Sequence, residues 1–499
     1  MLIRSTQELS VIKLNTQEIP ILSTITEGMF APHPKRRQRT FHYVKLLIVT
    51  LLGIVYGVVM SEIVFPGNKQ PVVELMMTVF KLAWLIPLPY ALVNFYAYLR
   101  FPPFRRPPWL VLGSSMSIKL YFRYVTRGNN LTLVAENVGE IFEVLSNLFT
   151  DEEWVIEVVT DIPLDLGDWE ENQVKVVVVP PDYQAPNGAK YKARALQYAL
   201  ENSSAQPEDW IIHLDEETRF DSDTIRAIHS FVKEQRQKTA QRRQQYPAIG
   251  QGVIMYGRGR VVNWVTTLAD SIRVADDYGR FRLQFSHGKA YFGLHGSYLV
   301  INVAVEQMIG FDHGIASSIT EDSYFALVAQ QVGVPFQFIP AFMYERSPFT
   351  IRDFIQQRRR WFGGLWMCVR YGETPFKERF ILGGFMFMWS TSWLCLVMTI
   401  VNVLYPTGTP LWLSLLAGLT FIYNVMMYLI GFFMTYRLSD GRLRFTWLLL
   451  MQIALIPLFS LMEGAAVIYA LISPPSDFFV VQKEDKRTRT EKPEFAPLA

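Results

Sequence analysis

Five stretches of the chain stay apolar for the length of a bilayer crossing, at approximately residues 43–65, 72–99, 380–405, 410–436 and 445–473. A helix needs roughly 20 apolar residues to cross the hydrocarbon core. Five such stretches flanking a polar middle predict transmembrane helices rather than buried soluble ones. The first follows about 40 mostly polar residues, too many for the n-region of a signal peptide, which predicts a retained anchor. Between the second and third stretches the pattern changes period. YFRYVTRG (121–128), WVIEVVTD (154–161), VKVVVVP (174–180) and WIIHLD (210–215) are short runs rich in Val and Ile that end in Gly, Pro or Asp, and they read as strands. NLTLVAENVGEIFEVLSNLF and NGAKYKARALQYALEN, between them, repeat their apolar positions at helical spacing. Strands separated by helices predict βαβ units and a largely parallel sheet covered on both faces. Ligands of such sheets bind beyond the carboxyl ends of the strands, where Asp161 and Asp215 fall.

The predicted organisation is a tail (1–42), two transmembrane helices (43–99), an α/β domain (100–378), three further transmembrane helices (379–473) and a second tail (474–499). Lys and Arg concentrate on the cytoplasmic side of membrane proteins. PKRRQR (34–39) precedes the first span, only Lys69 lies in the connection PGNKQ, and RFPPFRRPP follows the second span. That bias, with Arg437, Arg442 and Arg444, predicts a cytoplasmic α/β domain. Five spans put the basic tail QKEDKRTRTEK on the opposite side, so either the tail departs from the rule or one late segment is re-entrant.

Composition supports the membrane reading: 50% of residues are hydrophobic, 19% are charged and the mean hydropathy is +0.15. A net charge of +3 leaves no overall electrostatic footprint for nucleic acid. The two cysteines, Cys368 and Cys395, lie in or beside apolar stretches and exclude a disulfide framework or a Cys-based zinc site. RQKTAQRR (236–243) is a basic, polar insertion that reads as a solvated helix or loop.

Four groups of residues suit one chemistry. In WIIHLDEETRF (210–220) an apolar strand runs into Asp215, Glu216 and Glu217, which repel one another unless solvated or neutralised. In an extended chain Asp215 and Glu217 face one way and Glu216 the other, so the pair could hold Mg²⁺ or Mn²⁺ together with phosphate oxygens, or merely end a strand. NGAKYKARALQ offers a turn at Asn187-Gly188 and then a helix start with Lys190 and Lys192, which suits an anion; a solvated amphipathic helix gives the same pattern. SSITEDSYFAL puts Glu321 and Asp322 at a helix opening, where acids complement the dipole or supply a general base. In DFIQQRRRWFGGLW, Gln357, Arg360 and Trp361 share a helical face suited to a diphosphate and an acceptor ring, although Arg and Trp also anchor helices at membrane interfaces. Together the four fit sugar transfer from a nucleotide donor with inversion, since one base is present and no second, positioned nucleophile is evident.

The order of a strand-end Asp161, a lysine helix, an acid motif, TED and QRRRW before a membrane helix resembles the family 2 glycosyltransferases. VTRG, IEVVTD, KARALQY, HLDEET, VVNWVTTLADSIRVADD, TEDSYFA, YERSPFT and QQRRRW, spread over roughly residues 117–400, resemble the egghead-type β-1,4-mannosyltransferases more closely. The resemblance implies a GT-A (Rossmann-like) catalytic domain and inverting transfer of mannose from GDP-mannose to a glycolipid acceptor such as glucosylceramide. It implies that Asp161 binds the nucleotide base and Lys192 the diphosphate. Asp215 and Glu217 would bind Mg²⁺ or Mn²⁺, and Asp322, beside Glu321, would be the catalytic base. Gln357, Arg360 and Trp361 would hold the diphosphate and the acceptor terminus. The acid motif ends in Glu217 where the wider superfamily has Asp, a change shared by the egghead-type proteins. The insertion at 236–243 is longer than its counterpart there, which raises the expectation of a different acceptor preference. Endoplasmic reticulum or Golgi is the expected location in a eukaryote, and the plasma membrane in a bacterium. Two other readings stand beside this one. A processive polysaccharide synthase would use the spans as an export channel and a UDP-sugar as donor. A transporter is disfavoured by the few ionisable residues in the spans, among them Lys81 and Glu463, and a non-catalytic membrane scaffold by the presence of all the expected acid, base and Arg positions.

Overall fold

The computed structural model describes residues 36–60, 71–108, 110, 112, 117–150, 153–166, 173–259, 261–372 and 374–475. Lys35, Lys69 and the tail QKEDKRTRTEK, used above for orientation, lie outside the described residues.

Eight strands form one sheet in the order β3-β2-β1-β4-β7-β6-β8-β5. They are β1 (Leu120–Thr126), β2 (Trp154–Thr160), β3 (Val174–Val178), β4 (Trp210–Asp215), β5 (Arg219–Phe220), β6 (Ile249–Tyr256), β7 (Leu299–Asn302) and β8 (Phe336–Glu345). The half made of β3, β2, β1 and β4 is parallel, as the alternation of strands and helices predicts. The other half corrects the expectation of a largely parallel sheet. Strand β7 runs antiparallel to both β4 and β6, β8 runs parallel to β6, and β5 is antiparallel to β8. These strands are hard to read from sequence because β6 (IGQGVIMY) carries two glycines, β8 carries Pro340, and β7 spans four residues. Glycine and proline both weaken a strand signal.

The sheet is buried on both faces, with Phe122, Trp154, Trp210, Ile254 and Val300 all nearly inaccessible. One polar row crosses it. Arg123 pairs in register with Glu157 and His213 on the neighbouring strands. Its guanidinium donates to Glu157 and, at 3.2 Å, to Glu306, which also meets His213 Nε2 at 2.6 Å. A buried cation is tolerable only when paired in this way.

Among the described residues, five helical segments are long and apolar enough to cross a membrane: His42–Val59, Val72–Arg100, Phe376–Leu404, Leu411–Thr435 and Arg442–Ile472. The second is broken: the helix Pro71–Lys81 passes through a 3₁₀ turn (Leu82–Leu85) before the helix Leu88–Arg100 begins at Pro87. Lys81, expected inside this span, is fully buried, and its ammonium donates to the carbonyls of Thr407 (2.8 Å) and Gly408 (3.0 Å) and to Thr409 Oγ1 (2.8 Å). The bundle and the sheet share one core. Leu46, Tyr98, Met426 and Met427 of the spans pack into the same cluster as the strands, and the Tyr98 hydroxyl donates to the Ala275 carbonyl at 2.7 Å. The basic segment 236–243 is the exposed end of the helix Ser222–Ala240 and the turn after it. Its Lys238 reaches Gln337 at the amino end of β8, opposite to the end that carries the acidic residues. That placement removes the reason to expect it to shape acceptor choice.

Candidate active site

A cavity of about 900 Å³ opens where the parallel strands end. Thr126, Asp161, Asp215, Tyr256 and Glu345, at or just past the carboxyl ends of β1, β2, β4, β6 and β8, line it. Asp161, Lys192, Asp215, Glu217, Glu321, Asp322, Gln357, Arg360 and Trp361, the nine residues named from the family resemblance, all reach its wall, whereas Lys190 does not line it.

The acid motif arrives by a route other than strand alternation. Strand β4 ends at Asp215, and residues 216–217 form a turn closed by Thr218 N–H on the Asp215 carbonyl at 2.9 Å. Glu216 is set apart by its partners: Thr126 Oγ1 (2.7 Å) and Asn130 Nδ2 (2.5 Å) donate to its carboxylate. All three acids line the cavity, on a turn rather than the extended chain expected, with the Glu216 carboxylate taken up by these two donors.

Lys192 stands in the first turn of the helix Tyr191–Asn202 and reaches Asp215 Oδ1 (2.5 Å), the Gly296 carbonyl (3.1 Å) and Glu321 Oε1 (3.5 Å). Lys190 is exposed, and its backbone N–H donates to Ser318 Oγ. Two residues absent from the sequence reading fix this helix start. Asp312 accepts from the N–H groups of Asn187 (2.5 Å) and Ala189 (2.9 Å), and Ser318 accepts from Lys190. Both belong to the loop that leads into TED, so the lysine and the acids share one support. Gly296 lets the groups converge, because a Cβ there would lie 3.2 Å from both Asp322 Oδ2 and Lys192 Nζ. At the far rim Asp161 accepts from Arg194 at 2.7 Å and is partly exposed.

Glu321 and Asp322 open the helix Glu321–Gln331. Burial, reinforced by the neighbouring Glu321 charge, pushes the Asp322 carboxyl up to about 7, against the pull of Lys192, the Ser323 N–H and Arg360. Gln357, Arg360 and Trp361 lie on one face of the helix Ile351–Tyr371, as their spacing predicts. Burial lowers the Arg360 pKa, and the charges of Glu321, Asp322, Asp215 and Glu217 oppose the shift. The sequence reading passed over Arg358. It is buried and bonds to Gln357, Asp270 and Glu463. Glu463 thus turns into the bundle, where the Trp389 indole also donates to it at 3.3 Å.

Four carboxylates (Asp215, Glu217, Glu321, Asp322) therefore face two cations (Lys192, Arg360). Carboxylate oxygens gathered in this way are the kind of hard donor that could hold a divalent cation. Among the described residues no three His, Cys, Asp or Glu side chains cluster closely enough to enclose a metal alone. A Mg²⁺ or Mn²⁺ ion would thus share Asp215 and Glu217 with donor phosphate oxygens.

The family model described as glycosyl transferase family group 2 matches residues 210–468. The chain is 38% identical over 411 residues to the β-1,4-mannosyltransferase egh of Drosophila melanogaster, covering 80% of this chain and 86% of that protein. To the β-1,4-mannosyltransferase bre-3 of Caenorhabditis elegans it is 36% identical over 405 residues, with coverage of 80% and 86%. Among solved structures, the mannosyltransferase PcManGT from Pyrobaculum calidifontis in complex with GDP-Man and Mn²⁺ is similar at a TM-score of 0.48 and 14% identity, over 81% of this chain and 99% of that chain. The chain is a glycosyltransferase that belongs to glycosyl transferase family group 2 and, within it, to the family of the egghead-type β-1,4-mannosyltransferases.

Proposed function

We propose that this enzyme transfers mannose from GDP-mannose to the sugar of a membrane glycolipid such as glucosylceramide, forming a β-1,4 linkage with inversion. The observation that carries the reading is the continuity of the cavity. From the cluster of Lys192, Asp215, Asp322 and Arg360 it runs past Trp361 and Trp389 to Met60, Leu396, Val403 and Val425 between the membrane-spanning helices. A lipid acceptor needs that combination: a charged end for the sugar and an apolar end for its hydrocarbon.

Asp161 holds the base, and Lys192 and Arg360 hold the diphosphate. A divalent cation on Asp215 and Glu217 would neutralise charge on the departing nucleotide. Asp322 takes the proton of the acceptor hydroxyl as its oxygen bonds to the anomeric carbon. The bond from that carbon to the phosphate oxygen breaks, and GDP leaves with the electron pair. A carboxyl near pH 7 suits this work because it is ionised before attack and still basic enough to accept the proton. Gln357 and Trp361 seat the acceptor. The basic residues Arg437, Arg442 and Arg444 support a cytoplasmic catalytic side.

The test is to incubate purified protein in detergent with Mn²⁺ or Mg²⁺, glucosylceramide and each common nucleotide sugar, following nucleotide release and lipid mass. One hexose gained only from GDP-mannose, and lost in Asp322→Asn, supports the reading. A ladder of products, or transfer only from a UDP-sugar, overturns it.

A further inference from the structure

The segment VTTLADSIRVADD has no part in the chemistry above, yet it meets the acceptor end of the site. Its two short helices, Trp264–Ala269 and Ser271–Asp276, flank Asp270, which is fully buried. The Asp270 carboxylate accepts from Arg358 and lies 4.0 Å from Arg273. Arg358 is itself buried, and its Nε donates to Glu463 of the fifth span at 2.8 Å. Two carboxylates and two guanidiniums thus make an electrically neutral cluster, the condition for holding charge at this depth.

The cluster bears on the two residues that seat the acceptor. Both guanidiniums lie over the Trp361 indole, with Arg273 at 4.4 Å and Arg358 at 4.3 Å from the ring centroid. Arg358 also donates to Gln357 Oε1 at 3.1 Å. One turn further along the same face, the helix Ile351–Tyr371 presses on the TED loop, where a Cβ on Gly364 would lie 2.5 Å from Thr320. The acceptor face is therefore fixed relative to Asp322 on one side and to the membrane bundle on the other.

We propose that Asp270, Arg273 and Glu463 are positioning residues for the acceptor: through Arg358 and Trp361 they set where the acceptor hydroxyl stands relative to Asp322, without touching the donor. A buried ion cluster adds little stability over an apolar one but fixes a single geometry, and attack at a sugar carbon is sensitive to a misplacement of about 1 Å. The inference rests on the transferase reading above.

The experiment compares Asp270→Asn, Glu463→Gln and Arg273→Gln with the wild type, measuring acceptor KM, donor KM and the ratio of donor hydrolysis by water to transfer. The expected result is an acceptor KM raised about 10-fold or more, a donor KM within about 2-fold of wild type, and a higher hydrolysis-to-transfer ratio. Glu463→Asp, which keeps the charge, should recover most of the loss. Arg273 borders the cavity rather than the core, so Arg273→Gln carries the test alone if the buried variants do not fold. An unchanged acceptor KM overturns the proposal, as does an equal fall in donor and acceptor parameters. Absence of transfer by the wild type itself would instead refute the transferase reading.

Discussion

Asp322→Asn should abolish transfer and at the same time stabilise the protein. The carboxyl stands at about 7 instead of 3.8 because burial and the Glu321 charge disfavour its ionised form. A raised acid contributes stability that is fully present below pH 3.8 and is lost as pH rises through about 7. At ~1.4 kcal/mol per pH unit, that gap corresponds to about 4 kcal/mol of strain in the ionised state. Asp322 lines the cavity and is half-buried rather than enclosed, so with solvent screening roughly half of this, about 2 kcal/mol, is the expected gain for the neutral amide. The assay is thermal unfolding of metal-free, donor-free protein in detergent, between pH 5 and pH 8. The variant should melt roughly 2–4 °C above wild type at pH 8, with the gap closing towards pH 5. In the active wild type, kcat/KM should fall with decreasing pH below about 7. A gap that is absent, or that does not change with pH, would show that Asp322 is not held against ionisation and refute the reasoning.

Three further outcomes follow from the geometry. Asp215→Asn and Glu217→Gln should each raise the half-saturating Mn²⁺ concentration about 10-fold or more in an activity titration at fixed donor; an unchanged titration would remove them from metal binding. Gly364→Ala places a methyl 2.5 Å from Thr320 Cγ2, so it should cut transfer about 10-fold while circular dichroism stays unchanged. Arg123→Met leaves Glu157 and Glu306 buried without their cation, which should destabilise the fold by about 3–5 kcal/mol in thermal or denaturant unfolding.

The parallel half of the sheet was legible because its strands are Val- and Ile-rich runs interrupted by helices, and the spans because nothing but length and apolarity defines them. Strands β6 to β8 were not, since their glycines, proline and shortness reflect packing against neighbours that sequence spacing does not reveal. The site residues were legible for different reasons. The helical spacing of Gln357, Arg360 and Trp361 puts them on one face wherever that helix lies. Asp215 and Glu217 reach the cavity even though the assumed extended geometry is absent, and Thr126 and Asn130 take up the Glu216 carboxylate. Asp312, Ser318 and Asp270 left no signal. Each acts on a partner between 88 and 128 residues away, and a lone polar residue in a loop does not announce such a partner.

The shared core of sheet and bundle has a practical meaning. Tyr98 hangs from the second span into the Ala275 carbonyl, and in the fourth span Gly431 lies so close to the Ser271 carbonyl that no Cβ fits between them. Met426 and Met427 cover strand side chains, and Glu463 neutralises Arg358 from the fifth span. There is no seam along which the nucleotide-binding half could be cut free. A fragment lacking the last three helices would bare apolar surface and leave Arg358 without one of its carboxylates beside the acceptor seat. Soluble expression of residues 100–378 alone should therefore give aggregated or inactive protein, because the helices Leu411–Thr435 and Arg442–Ile472 are part of what holds this site in register.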